Sequence, residues 1–166
     1  MSVVQRDYVE RMIEEAAGTV AQILQLARAG DLDLALILIG KTRDFVLGPM
    51  RPVLERVDAA SAVDLVGRYG LDSLRMYSVL LGEEGAIHEK RGQAAKAEQC
   101  YRHALELYAA TSLSGARLLA ADWERIAMLE AKAEAGSIEG RYREELQRLA
   151  GQRSAYSDEG AGIVAT

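Results

Sequence analysis

The sequence predicts an all-α fold, in which antiparallel helical hairpins pack into a single helical bundle or a short superhelix. Apolar residues recur at intervals of three and four, the spacing of one face of an α-helix. The chain has only two prolines and one phenylalanine in 166 residues. Glycines stand where the helical patterns stop, as they often do at helix C-termini.

The first helix is expected from about Arg6 to Ala29. Its apolar residues alternate between spacings of four and three, which predicts a continuous apolar seam along one face. The seam consists of Val9, Ile13, Ala16, Val20, Ile23 and Ala27. Gly30 is expected to end this helix and Asp31 to cap the next one.

The second helix, from Asp31 to about Leu47, is the most apolar segment of the chain. Its run Leu34–Ile39 is far shorter than the ~20 residues that span a bilayer, so no membrane segment is expected. Apolar residues on every side of this helix indicate burial on more than one face. Either the helix lies at the centre of the monomer, or one of its faces is an interface between two copies.

An insertion follows, from Gly48 to Leu71. Its two prolines, Pro49 and Pro52, exclude a continuous helix. Short helices are expected over residues 52–57 and 62–69, the second with Ser61 as its cap. After Gly70, Asp72 or Ser73 is expected to cap the next helix.

The segment from Leu80 to Tyr108 is expected to be a helical hairpin with its turn at Gly92. Gly85 lies inside the first helix of the hairpin, where glycine costs about 1 kcal/mol relative to alanine. This cost is explained if the backbone of the second helix approaches closely there. The facing stripe of that second helix would be Ala97, Tyr101, Ala104 and Tyr108.

The remaining chain predicts two more helices. Residues 111–114 should form a turn with Ser114 as a helix cap, and the next helix should extend to Ala135 with Trp123 on its apolar face. Gly136 and Ser137 interrupt it, and a final helix is expected from Ile138 to Ala150. Residues 151–166 lack periodicity and predict a disordered tail, so that the domain would span residues 1–150.

The central hairpin resembles the tetratricopeptide (TPR) repeat, a helical repeat of about 34 residues. Gly85 and Gly92 are seven residues apart, and Ala97, Tyr101 and Ala104 follow at the spacing of the repeat. The resemblance implies a TPR-like fold and a role in protein–protein interaction. The chain departs from the repeat in three places: Leu81 and His88 stand where aromatic residues are common, and Ala109 replaces the closing proline.

An earlier hairpin repeats this pattern, because Gly30, Ala35 and Ile39 have the same spacing as Gly92, Ala97 and Tyr101. The offset is 62 residues rather than about 34, which predicts two hairpins separated by an insertion. The segment from Glu83 to Gly92, EEGAIHEKRG, also resembles a group of small uncharacterised bacterial proteins. That second resemblance implies no activity.

The residues that could carry chemistry lie in the central hairpin. Cys100 and His103 are three apart on one helix, His88 lies on the other, and Glu84 would be the fourth ligand of a zinc site. Cys and His flanking a core stripe are more often structural, and Glu84 is expected to hydrogen-bond His88 one turn away. We therefore expect no catalytic residues, no metal site and no cofactor.

The leading functional hypothesis is a non-enzymatic interaction or scaffold protein that forms a homo-oligomer. A net charge of −5 argues against nucleic acid or an anionic membrane as partner. The lone Cys100 favours a reducing compartment, and no signal peptide is evident, so a cytoplasmic location is expected. The alternative is a sensor that binds a peptide or small ligand in a groove or interface. The residues expected to line it are Tyr77, His88, Tyr101 and Trp123.

Overall fold

The computed structural model describes residues 2–161, and describes Ala135 and residues 156–161 in their backbone alone. The fold over these residues is all-α, as predicted, with no β-strand among them. Three short 3-10 turns, Gly48–Met50, Arg68–Gly70 and Ala135–Ser137, join some of the helices. The helices are α1 (Val3–Arg28), α2 (Leu32–Leu47), α3 (Arg51–Leu54), α4 (Ala59–Val66), α5 (Leu71–Lys90), α6 (Ala94–Leu113), α7 (Ala120–Lys132) and α8 (Gly140–Ala161).

Helix α5 lies at the centre of the bundle. Every residue from Leu74 to Leu81 is buried, because α6 covers one side of α5 while α1 and α2 cover another. Helices α7 and α8 both pack against α6, and α7 also contacts α5. The central position that the sequence allowed for α2 therefore belongs to α5, and α2 lies at the side.

The two predicted hairpin turns have the same backbone geometry. Gly30 has φ +85° and Gly92 has φ +72°, the left-handed region that glycine occupies without a steric cost. The next N–H donates back to the carbonyl five residues earlier, from Asp31 to Leu26 at 2.9 Å and from Gln93 to His88 at 2.9 Å. These are Schellman helix ends, so the sequence placed both helix ends correctly.

The two turns also contact each other. The Lys90 Nζ donates a hydrogen bond to the Ala27 carbonyl at 3.1 Å, and Arg91 forms an ion pair with Asp33. Both hairpins consequently point their turns toward the same end of the bundle.

Gly85 lies in close contact with α6, as predicted, although the neighbouring atoms belong to side chains rather than to the α6 backbone. A Cβ atom built on Gly85 would lie 2.6 and 2.8 Å from Tyr101 ring carbons and 3.1 Å from the Cys100 Cβ. The Tyr101 ring cannot easily turn away, since its hydroxyl donates to the Glu89 carboxylate at 2.6 Å. Only glycine fits this position without a shift of neighbouring atoms.

Three helices in the first half begin elsewhere than predicted, and one of them is α5, which starts at Leu71, ahead of Asp72 and Ser73. Helix α1 starts at Val3 because Ser2 caps it: the Gln5 N–H donates to the Ser2 hydroxyl at 3.3 Å. Helix α4 starts at Ala59, and its cap is Asp58 rather than Ser61. The Asp58 carboxylate accepts the Ser61 N–H at 2.8 Å, which satisfies one of the free N–H groups of the first turn.

The C-terminal third departs further from the prediction. Helix α6 continues to Leu113 with Ser114 as its C-cap, so the turn and the start of a helix expected at residues 111–114 are not formed, and α7 runs only over Ala120–Lys132. Helix α8 continues through Gly151 to Ala161, where the sequence analysis placed a disordered tail. Gly151 costs the helix about 1 kcal/mol relative to alanine, and the helix formers around it outweigh that cost. Residues 162–166 of the expected tail lie outside the described residues.

One connected hydrophobic core extends through the bundle, from Ala16 on α1 to Leu149 on α8. The seam predicted for α1 contributes Ala16, Val20 and Ile23 to it. Of the helices that the structure describes, none combines the length and the apolar character needed to cross a membrane.

Candidate functional site

A polar cleft opens along one side of the α5–α6 hairpin, and we call it the hairpin cleft. It offers a volume of about 480 Å³. Helix α2 and the segment from Glu55 to Asp58 form its other walls. The side chains that line it include Arg43, Glu55, Tyr77, Glu84, Cys100 and His103.

Three side chains meet at the edge of this cleft. Glu84 and His88 lie one turn apart on α5, and Cys100 reaches them from α6. One ligand-type atom from each residue, an oxygen, a nitrogen and a sulfur, lies within 4.8 Å of the other two. The close helix contact at Gly85, between Glu84 and His88, brings Cys100 this near. We call these three residues the Glu–His–Cys cluster.

The cluster is held from outside by two further side chains. Arg43 on α2 forms an ion pair with Glu84 through Oε2, and also contacts Glu55 at 3.1 Å. The His88 Nδ1 lies 2.7 Å from the Gln93 Oε1. The predicted hydrogen bond between Glu84 and His88 is not formed, because Oε1 and Nε2 are 3.6 Å apart, too far for a hydrogen bond.

The Cys100 side chain is a thiol rather than a thiolate. Burial, and after it the nearby Glu84 carboxylate, raise the pKa of Cys100 to about 12. A thiol is a weak nucleophile, since the thiolate is the reactive form. The site is therefore not arranged for nucleophilic catalysis by Cys100.

His103 does not join the cluster with Cys100, although the two residues are three apart on α6. Its imidazole packs edge-on against the Tyr77 ring, with 6.0 Å between ring centroids and 77° between planes. Burial, and then the charges of Arg102 and Arg43, lower the pKa of His103. The Tyr77 ring also receives the Arg43 guanidinium at 5.3 Å from its centroid. His103 is thus a neutral, half-buried residue in the wall of the hairpin cleft.

The four residues expected to line a groove or interface are divided between different places. Tyr77 borders the hairpin cleft, and His88 belongs to the Glu–His–Cys cluster. Tyr101 is buried against Gly85. Trp123 lines a second cleft between α7 and α8, with a volume of about 640 Å³. We call this the α7–α8 cleft; it shares no lining residue with the first.

A buried polar network was missed by the sequence analysis. Asp122, 2% exposed, accepts hydrogen bonds from the Arg75 guanidinium at 3.0 Å and the Tyr108 hydroxyl at 3.1 Å. It also accepts the Leu119 N–H at 2.8 Å, at the start of α7. Burial and the Asp122 carboxylate raise the pKa of Tyr108 above its usual range. The position of Asp122 in the first turn of α7 was the available signal. Apart from the Arg75 Nε, which forms no hydrogen bond, these groups satisfy one another, and we assign them a structural role.

Helix α2 presents an exposed apolar face, which we call the α2 stripe: Leu34, Ile37, Lys41 and Phe45. Spaced by three and four residues, these side chains point to one side of the helix. Leu34 and Ile37 are each 55% exposed and Phe45 is 41% exposed. The sequence predicted that α2 is apolar on more than one side, and the structure buries only the opposite side.

Comparison with known proteins adds no relative to these observations. No protein-family model matches the chain, and no match was found among curated proteins or among solved structures. The resemblance to the TPR repeat stays a prediction based on residues such as Gly85, Gly92 and Ala97.

Proposed function

We propose that this chain is a non-enzymatic interaction protein that self-associates through the α2 stripe. The observation that carries the proposal is the exposure of Leu34, Ile37 and Phe45 on one helix face. Exposed apolar side chains that share one helix face are typical of a protein interaction site. Lys41 lies among these residues, and its long aliphatic stem can cover apolar surface while its charge stays in water.

A second copy of the chain is the occupant we favour for the α2 stripe. A two-fold axis pairs the same surface on both subunits, and this is the commonest symmetry of soluble oligomers. Two α2 helices that pack antiparallel would place Leu34 of one copy against Phe45 of the other. Ile37 and Lys41 would lie near the axis, with the two ammonium groups directed outward.

Helix α1 supplies further exposed apolar surface beside α2. It has 26 residues and α2 has 16, so its N-terminal part reaches about 15 Å past the end of α2 at 1.5 Å per residue. Val3, Val4 and Tyr8 on this part are exposed. In a dimer they would be available to contact the other copy.

Ile37→Glu tests the proposal by placing a carboxylate in the expected interface. We expect the wild-type chain to be a dimer in size-exclusion chromatography with light scattering. The dimer of the variant should have at least a tenfold higher Kd, which corresponds to a loss of about 1.4 kcal/mol in the free energy of association.

The matched control is Leu65→Glu on α4, since Leu65 is also exposed at 47% and lies outside the α2 stripe. This variant should remain dimeric. A wild-type chain that is monomeric at every concentration would refute the proposal. Equal dissociation of the two variants would refute the assignment to α2.

Other parts of the proposal rest on separate observations. Helix α5 packs against both α1 and α2, as a TPR-like pair of hairpins would require. The protonated Cys100 thiol favours a non-enzymatic role. The net charge of −5 disfavours nucleic acid and anionic membranes as partners, and the single cysteine favours the reducing cytoplasm.

A second candidate function is the binding of a small apolar ligand or peptide in the α7–α8 cleft. Leu118, Leu119 and Trp123 provide its apolar surface, and Trp123 is the only tryptophan in the chain. Titration with the dye anilinonaphthalene sulfonate should therefore quench the intrinsic tryptophan fluorescence. Leu118→Glu should weaken this binding at least tenfold while Leu65→Glu leaves it unchanged. Absence of quenching in the wild type would count against the cleft.

A further inference from the structure

We propose that Glu84, His88 and Cys100 bind a divalent transition-metal ion of the zinc class, with a fourth coordination position open to the hairpin cleft. The proposal does not depend on self-association. Oxygen, nitrogen and sulfur ligands of these three types are the ones that zinc uses in proteins. The charges also fit, because a carboxylate and a thiolate together neutralise a divalent cation.

The spacing of the three ligand atoms is close to that of a tetrahedral site. Bond lengths of about 2.0–2.3 Å to zinc place neighbouring ligand atoms roughly 3.3–3.8 Å apart. The Glu84 Oε1 and the His88 Nε2 are already 3.6 Å apart. All three atoms lie within 4.8 Å of one another, so the Cys100 Sγ needs to move by only about 1 Å, within the range of a side-chain rotation.

The hydrogen bond of His88 directs a lone pair into the cluster. The Gln93 Oε1 is an acceptor, so the His88 Nδ1 carries the proton at this 2.7 Å contact. In a neutral imidazole the other nitrogen is then an acceptor. The His88 Nε2 faces the Glu84 Oε1, which is also an acceptor in the ionised carboxylate. Two acceptors at 3.6 Å form an arrangement that a cation between them would stabilise.

Both of these ligands have the outer partners that metal ligands usually have. Gln93 fixes the ring of His88, as a hydrogen-bond partner on the second imidazole nitrogen does in known zinc sites. Arg43 holds the Glu84 Oε2 and leaves Oε1 for the metal. The charge of Arg43 is in turn offset by Glu55 at 3.1 Å.

Metal binding would replace the proton of Cys100. The S–H proton is released to solvent, and the sulfur lone pair is donated to the ion, which stabilises the thiolate against the effect of burial. Glu84 and Cys100 both line the hairpin cleft. The remaining position of the ion is therefore accessible to a water molecule or a small ligand.

Cobalt(II) is the probe that tests this site, because a Co²⁺–thiolate bond gives a charge-transfer absorption that a carboxylate or an imidazole alone does not give. The untagged full-length chain, titrated with Co²⁺, should bind a single ion with this absorption and with the visible bands of tetrahedral cobalt. Cys100→Ser and His88→Gln should each weaken binding at least a hundredfold. Gln93→Ala, which removes only the outer partner, should weaken it about 10- to 100-fold.

His103→Gln is the matched control, since it removes the other histidine of the hairpin cleft and leaves the cluster intact. It should bind Co²⁺ as the wild type does, and thermal unfolding followed by circular dichroism should verify that each variant is folded. Absence of the thiolate absorption in the wild type would overturn the proposal. So would an absorption that persists in His88→Gln, or one that His103→Gln loses as completely as Cys100→Ser does.

Discussion

Asp122→Ala is expected to lower the free energy of unfolding by about 3–5 kcal/mol, because removing one partner of a buried ion pair leaves the other charge uncompensated. Arg75 is 5% exposed, and its guanidinium donates to both oxygens of Asp122, at 3.0 and 3.3 Å. The alanine variant would also leave the Tyr108 hydroxyl and the Leu119 N–H without their acceptor. Urea unfolding of the variant and the wild type measures the loss, provided that the slope m is unchanged.

Two milder variants calibrate this result. Asp72 is a weaker partner of Arg75: its carboxylate lies 3.5 Å from the Arg75 Nε, yet that Nε forms no hydrogen bond. The Asp72 side chain is 55% exposed, so Asp72→Ala should cost at most about 1 kcal/mol. Tyr108→Phe removes one hydrogen bond and should cost about 0.5–1.5 kcal/mol. If Asp122→Ala lowered the free energy of unfolding by no more than Tyr108→Phe does, the buried ion pair between Arg75 and Asp122 would not be a major contributor to stability.

Gly85→Leu is expected to destabilise the protein by roughly 3 kcal/mol, the upper end of the usual cost of overpacking. The first added carbon alone would lie 2.6 Å from the Tyr101 ring and 3.1 Å from the Cys100 Cβ. Three more carbons would force α5 and α6 apart along their contact. The same displacement would move Cys100 away from Glu84 and His88, so cobalt binding should be lost together with stability.

Gly82→Ala is the control for Gly85→Leu, because it lies one turn away on the same helix. A Cβ atom on Gly82 would meet only the Leu129 Cδ2 at 3.5 Å, an ordinary contact. The higher helix propensity of alanine then determines the effect of the substitution, and the free energy of unfolding of this variant should rise by up to about 1 kcal/mol. The stability of Gly85→Ala should lie between those of Gly82→Ala and Gly85→Leu. Its free energy of unfolding should fall by at most about 2 kcal/mol, because the higher helix propensity of alanine offsets part of the steric cost. A stabilising Gly85→Ala would show that the helices are not in close contact there.

The sequence predicted the local features of the fold well. Gly30 and Gly92 end helices because only glycine adopts their positive φ without strain, and that requirement can be read from the residue itself. Gly85 lies inside a helix, where glycine is unfavourable, and this cost indicated that a neighbouring helix is in close contact there. Helix starts were predicted less accurately, because polar residues such as Ser2 and Asp58 have other possible caps near them in the sequence.

The buried network around Asp122 could not be predicted, because its members are far apart in the chain. Arg75 and Asp122 are 47 residues apart, and nothing near either residue indicates the other. The sequence indicated Cys100, His103, His88 and Glu84 as one possible set of ligands. The structure brings Glu84, His88 and Cys100 together and leaves out His103. Which side chains meet between two helices depends on how each helix is rotated about its own axis and on the distance between the two axes. The spacing of residues within one helix contains no information on these two quantities.

The contact between the two hairpin turns also affects how the chain folds. Each hairpin is a local structure, formed by helices that follow one another in sequence, and local contacts of this kind form fast. Lys90 and Ala27, by contrast, are 63 residues apart. Bringing them together closes a long loop, and the entropy cost of that closure rises only slowly with length. We therefore expect the hairpins to form early and their docking through Lys90 and Arg91 to complete the native topology.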